Sequence, residues 1–537
     1  MNRLPPDGVA LFGTFDVANY GDLLFPHVAA HLLGMSPTDL RCYSPRGGAP
    51  DWEDVVPARA VTAFNRDLPP ALCLIGGGNI VHANPTPLAD YAGAFPDPRF
   101  IYASLWLGAS ILAARTGAAL AWNAPGVPSP LEGAWVRRLR DLALDAADLL
   151  CVRDEASRVY LGGGTFDIGV LPDTALKLGA VWPAAALADH ARAAFESRGM
   201  GVPERWIVFH LNDRYIGSGL PAACAAAGRI AAGLGAVPVL VAIGPCHGDD
   251  ALAREAATLF DGDVLVVDRP RGLKEIAGLI AHAQAYVGSS MHGLITALAY
   301  RRPGIAIART RMVKFLGLLE QIGEPDRLQE SWEDAERMAT TLLQPLPLPL
   351  LDGLDAADNL IDGHGTRLRQ LSTSAPAPSA VKGRATLRSA VSSADAPFEE
   401  WTRLDQALAE DEAAADDPDR VAQAIASALR GSAEAALGQR IADALVRWPN
   451  SVRLALLEAE WLERSGDVAS AHARLAALQA KHPNNPWPVV RLVRLLAAQG
   501  ELDNACALYE ANLQSLTLTP ALHRELTGSF SPDTPSG

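Results

Sequence analysis

Residues 286–300 read YVGSSMHGLITALAY: a small-residue loop with one histidine, His292, runs directly into an apolar stretch that reads as a buried helix. His292 then falls in the first turn, where unpaired N–H groups and the helix dipole disfavour an imidazolium. With nothing bound, the ring is expected to be neutral. A multiply charged anion beside it would reverse that bias and leave a proton ready for transfer, the behaviour of a general acid armed by its own substrate. The plainer alternative is a core histidine, hydrogen-bonded beside a capped helix. Ser289 and Ser290 bring hydroxyls and backbone donors to the same junction.

Four other loops hold polar residues directly after apolar runs. In ANYGDLLF (18–25), Asn19 and Asp22 can cap the following helix, and Gly21 permits close approach of a ligand. In LIGGGNIVH (74–82), Gly76, Gly77 and Gly78 bare successive N–H groups ahead of Asn79, which suits an anion or a sugar. In CVRDEASRVYL (151–161), Arg153 can grip a carboxylate or phosphate with two prongs, or else pair with Asp154. In VLPDTALKLG (170–179), Asp173 follows Pro172 and reads as no more than a turn.

The elements that must position these loops are short apolar strands alternating with helical segments. GVALFG (8–13), LCLIGGG (72–78), ALAWNAPG (119–126) and DLLCVRD (148–154) form one series. RWIVFHLND (205–213), AVPVLVAIGP (236–245), DVLVVDR (263–269), AQAYVGSS (283–290) and RPGIAIA (302–308) form a second. The pattern predicts two α/β domains with parallel strands, over 1–180 and 181–350, and ligands gather beyond the carboxyl ends of such strands. From about 366 the chain turns rich in Ser, Ala and Pro, so 351–398 is expected to be a flexible linker. Residues 399–527 read as helical repeats: Pro449 and Pro483, Gly466 and Gly500, and Ala471 and Ala505 are each 34 residues apart. That period, with a glycine turn and a small residue after it, resembles tetratricopeptide repeats, which either cap the chain or dock a protein partner.

At 537 residues and 49% hydrophobic, the chain can bury several cores. A net charge of −15 opposes nucleic acid, so an anionic ligand must be held by a few local cations. Cysteines 42, 73, 151, 224, 246 and 506 lack metal-site or disulfide spacing, so packing thiols and no metal are expected. No apolar run reaches the length of a membrane span, and two early prolines interrupt any signal-peptide core. The expected location is the cytoplasm, with a peripheral place at the inner face of the membrane as a variant.

The order NYGDLL, LIGGGN, VRDEAS, LPDTAL and GSSMHGLITALAY, followed by PGIAI and Lys314, resembles the polysaccharide pyruvyl transferase family over residues 8–345. The resemblance implies two Rossmann-like domains in a GT-B-like arrangement with the active site between them, here followed by an all-α repeat domain. It implies phosphoenolpyruvate as co-substrate, no cofactor, and a glycan acceptor, lipid- or nucleotide-linked, that receives a pyruvate ketal in exopolysaccharide biosynthesis. His292 would be the acid. Arg153, Asn19, Asp22, Gly76, Gly77, Gly78, Asn79, Ser289, Ser290 and Lys314 would contact substrate. Many members carry arginine where this chain has Ser290, so either Arg309, Arg311 or Lys314 supplies that charge, or the donor takes a different pose, or the donor site has decayed. Two rival readings are a GT-B glycosyltransferase holding a nucleotide sugar through Asp268 or Asp249, and a degenerate transferase acting as a repeat-bearing scaffold.

Overall fold

The computed structural model describes residues 8–390 apart from 85–87, 96–97, 132–133, 164, 217–218, 309–312 and 374–375, and residues 435–512 apart from 484, with isolated helical positions between 418 and 429. Met1–Glu132 and Val136–Glu400 cluster as one compact unit, and Trp401–Gly537 with Gly133–Trp135 as another.

The first unit contains two parallel sheets. One holds β1 (Val9–Phe12), β2 (Leu40–Ser44), β3 (Ala58–Ala60), β4 (Leu72–Ile75), β5 (Ala119–Asn123), β6 (Leu149–Val152) and β7 (Gly169–Val170), in the order β3-β2-β1-β4-β5-β6-β7. The other holds β8 (Trp206–His210), β9 (Val237–Val241), β10 (Leu265–Val267), β11 (Ala285–Gly288), β12 (Gly304–Ile307) and β13 (Leu328–Gln329), in the order β10-β9-β8-β11-β12-β13. The central strands β1, β4, β5, β8 and β11 are buried along their whole length, as parallel strands covered on both faces must be, and this is why they read as continuous apolar runs. These are two Rossmann-like domains in a GT-B-like arrangement.

Register sets which loops become neighbours. Val152 pairs with Val170, so Arg153 and Asp173 follow adjacent strand ends. Gly288 pairs with His210, which sets the 289–292 loop beside the end of β8. The helix Met291–Ala299 buries Met291, Leu294, Ile295, Ala297 and Leu298, and its Thr296 Oγ1 lies 2.9 Å from Tyr20 Oη in the first half. Tyr20 N–H donates to the Ile243 carbonyl at 2.9 Å. One continuous apolar core contains Leu74 of the first sheet and Val208 of the second, and extends to Leu368.

The segment expected to be a flexible linker is instead structured as far as 390, and 391–398 lie outside the described residues. The helix Leu348–Leu371 buries Leu350, Leu354, Ala357, Ile361 and Leu368, a helical period. It is tied to the first sheet by His364 Nε2, 2.9 Å from Asn123 Oδ1, and by Asp362, 2.9 Å from Lys177 Nζ. The helix Pro378–Ala390 turns Ala380, Gly383, Arg384 and Leu387 inward, and Arg384 Nη1 donates to Asp148 Oδ2 at 2.7 Å. Only one large apolar residue, Leu387, lies on this buried face, beside small residues and an arginine, which is why composition alone suggested a linker. The reading also passed over β2, β3, β7 and β13, the last three being edge strands of two or three residues.

In the second unit, the helices Val452–Arg464 and Val468–Lys481 pack together, as do Pro486–Ala498 and Leu502–Asn512. Corresponding helices start 34 residues apart. Gly466 and Gly500 both adopt left-handed backbone, with φ of 89° and 79°, at the turns inside the pairs, and Ala471 and Ala505 are fully buried. Repeat residues 399–417 and 513–527 lie outside the described residues. Among the described residues no helix is long and apolar enough to cross a membrane.

Candidate active site

The carboxyl ends of the two sheets enclose a cleft of about 290 Å³. From the first half, Asn19, Asp22, Asn79 and Arg153 line it. From the second, Ser289, Ser290, His292 and Lys314 do so. Ser290 caps the helix Met291–Ala299, its Oγ accepting from Gly293 N–H at 3.3 Å. The ring of His292 is 14% exposed and stands edge-on to Phe25, with centroids 5.5 Å apart. Its Nδ1 side presses on Gly21, where an added Cβ would lie only 1.9 Å from Nδ1.

Among the described residues His292 Nε2 has no hydrogen-bond partner, and the nearest carboxylate is Asp173, with Oδ2 at 3.6 Å. The same Oδ2 lies 3.6 Å from Arg153 Nη1, while Oδ1 accepts from Ala175 N–H at 3.0 Å. Burial alone would push the Asp173 carboxyl up, but His292, Arg153 and the Ala175 N–H outweigh it and hold the group below its usual range. An ionised Asp173 is therefore a standing countercharge for an imidazolium. The residue that read as a mere turn links the histidine to the arginine.

Arg153 is 3% exposed and does two jobs. It forms ion pairs at 3.6 Å with Asp154 and Asp173, and its Nη2 donates to Asn79 Oδ1 at 2.8 Å. Asp154 itself caps the next helix, accepting from Ser157 N–H at 2.7 Å. Lys314 adds a second cation: burial, with Arg153 and Arg214 nearby, pulls its ammonium down to about 8. Arg309 and Arg311 lie outside the described residues.

Two expected contacts take a different form. Asn19 and Asp22 do not cap their helix. Asp22 Oδ2 instead accepts from Thr14 Oγ1 at 2.8 Å and Asn19 Nδ2 at 3.0 Å, which fixes the carboxyl inside the cleft. Burial pushes that carboxyl up, against the pull of His292, Thr14, His247 and Arg153. Gly76, Gly77 and Gly78 are not among the cleft-lining residues. Added Cβ atoms there would meet Phe12 O at 2.9 Å, the Phe25 ring at 2.0 Å and Asp22 Oδ1 at 2.8 Å. The glycines thus let the loop press onto the first helix, and Asn79 alone of the four lines the cleft.

The second half contributes residues that no motif marked. His210 ends β8, Asn212 and Arg214 follow it, and His247 and Asp249 follow β9. The rule about strand ends pointed to these loops without selecting residues in them. Of the carboxylates considered for a nucleotide ribose, Asp249 is engaged by His210 at 2.7 Å and Asp268 by Arg254 at 2.8 Å.

Residues 19–311, more than half of the chain, match the family model described as Polysaccharide pyruvyl transferase. No match was found among curated proteins. Solved structures similar to this chain include an S. aureus MnaA–UDP complex, at 12% identity over 71% of this chain and 94% of that one, TM-score 0.39. A UDP-GlcNAc 2-epimerase from Methanocaldococcus jannaschii shares 11% identity over 66% of this chain and 99% of its own, TM-score 0.41. A UDP-forming trehalose-phosphate synthase from Burkholderia xenovorans shares 12% over 70% and 100%, TM-score 0.37.

Proposed function

This chain belongs to the polysaccharide pyruvyl transferase family, and from that premise we propose that it moves the enolpyruvyl group of phosphoenolpyruvate onto a sugar diol, forming a pyruvate ketal on a cell-surface glycan or its precursor. The observation that carries this reading is the convergence of His292, Asp173 and Arg153, from loops far apart in sequence, at one cleft that Lys314 also lines.

The donor becomes electrophilic at C2 once its methylene carbon gains a proton, and His292 supplies that proton. Arg153 and Lys314 hold the donor's carboxylate and phosphate, and Arg214, which also lines the cleft, adds a third cation. A donor anion on Arg153 competes with Asp173 for the guanidinium. The freed carboxylate then faces the His292 ring alone. The first sugar hydroxyl adds at C2, phosphate leaves, and the second hydroxyl closes the ketal.

The test is incubation with phosphoenolpyruvate and a panel of lipid-linked and nucleotide-linked glycans. Phosphate release matched by a glycan mass gain of one pyruvate less one water supports the reading. Turnover with a nucleotide sugar and none with phosphoenolpyruvate refutes it.

A further inference from the structure

The reaction proposed above uses one acid, yet it also needs a group to take the proton of the attacking hydroxyl. Resting on that reading, we propose that His210 is this base and that Asp249 positions it.

His210 ends β8 and is 3% exposed, and its ring belongs to the cleft wall. Its Nε2 lies 2.7 Å from Asp249 Oδ2. That carboxylate is fully committed: Gly244 N–H donates to Oδ2 at 2.8 Å and Asn212 Nδ2 to Oδ1 at 3.1 Å. Because a carboxylate surrounded by donors accepts, Nε2 must carry the hydrogen, and the neutral ring then keeps its lone pair on Nδ1. Nδ1 has no partner among the described residues. An acceptor shielded from water and left unpaired is costly, and the cost is removed when a ligand hydroxyl donates to it. Ser289 Oγ, 5% exposed, is likewise unpartnered, and Ser289 N–H donates to the His210 carbonyl at 3.1 Å. Two unpaired polar groups on neighbouring strand ends of the wall suit an acceptor that offers two hydroxyls.

The protons balance. The hydroxyl O–H breaks toward His210 Nδ1 as the O–C2 bond forms. The C2–O bond to phosphorus-bearing oxygen breaks with its electron pair, and the phosphate leaves with the proton that His210 held. The second hydroxyl returns its proton to His292, which gave one to the methylene carbon.

The experiment uses the full chain with phosphoenolpyruvate and an acceptor glycan on which the wild type forms ketal. For His210→Gln we expect kcat to fall roughly a hundredfold or more, with donor KM and the thermal shift caused by phosphoenolpyruvate within about twofold of wild type. Asp249→Asn should lower kcat about tenfold with the same donor affinity, and it carries the test if His210→Gln does not fold. An active wild type with both variants within about threefold of it overturns the assignment of His210 while leaving the proposed function standing. Rate and donor affinity falling in equal proportion also overturns it, since a structural role moves both. A wild type that uses no phosphoenolpyruvate with any acceptor overturns the function and this assignment together.

Discussion

Asp173 Oδ2 stands 3.6 Å from His292 Nε2, and 3.6 Å from Arg153 Nη1, without a hydrogen bond to either. One buried carboxylate oxygen is shared between the group that gives a proton and the group that grips the donor. Asp173→Asn keeps the shape, removes the countercharge and leaves Arg153 less well paired. We expect kcat to fall about tenfold to a hundredfold while donor KM holds steady or drops, because the guanidinium is freed. Steady-state kinetics of the purified variant check this. A raised KM at unchanged kcat would instead mean that Asp173 only shapes the donor pocket.

Gly21 and His292 are in contact across the two halves. Placing a methyl at Gly21 puts it 1.9 Å from His292 Nδ1, so Gly21→Ala must turn the imidazole or part the loops. Activity should drop at least tenfold, even though alanine at a helical position ordinarily gains up to about 1 kcal/mol over glycine. Gly363→Ala, inside the helix Leu348–Leu371 with nothing within 4 Å of an added methyl, serves as the control for backbone effects. Unchanged kcat/KM in Gly21→Ala would show that the ring is free to move.

The ammonium of Lys314, pulled down to about 8, is charged below that pH and loses its charge as pH rises through it. Donor affinity should therefore weaken on the alkaline side. KM for phosphoenolpyruvate is expected to climb up to about tenfold per pH unit above that point, since each unit removes nine-tenths of the charged form. Lys314→Arg, which keeps its charge, should flatten the profile, and Lys314→Ala should show the high KM throughout. A wild-type KM that is level across this range removes Lys314 from donor binding.

Arg384 Nη1 and Asp148 Oδ2 form a pair whose side chains are 4% and 1% exposed, and it holds the helix Pro378–Ala390 to the first sheet. Arg384→Ala leaves a buried carboxylate without its partner, which costs about 3–5 kcal/mol. Denaturant unfolding should show that loss, and limited proteolysis should cut between 371 and 390 first. Stability within 0.5 kcal/mol or so of wild type would mean that surface charges of this size, not a buried pair, describe the contact.

Much of the first unit was legible because parallel strands buried on both faces must be apolar from end to end, and the loops after them must be polar or small. Thus Arg153, His292 and Asn79 fell on the cleft where their strand ends or following helix predicted, and Lys314, which only the family resemblance had offered, lines it too. Asp173 escaped because β7 has only two residues and so gave no apolar run to announce its end. His210 escaped, and Asp249 was weighed only as a ribose carboxylate, for another reason: they are 39 positions apart, and only the β8–β9 pairing brings them together. The glycine loop misled because a run of glycines serves close packing on Phe25 as readily as it serves a ligand. The 378–390 helix was hidden because it buries Ala, Gly and an arginine's stem where large apolar residues would have shown the period.

The central claim is that His292 gives its proton to the methylene carbon of the donor. The direct measurement is turnover in heavy water, with mass and NMR analysis of the ketal methyl group. The prediction is a methyl carrying one solvent deuterium in the wild-type product, and a loss of product by roughly a hundredfold or more in a folded His292→Asn variant. A His292→Asn variant that still makes singly deuterated ketal at the wild-type rate would contradict it.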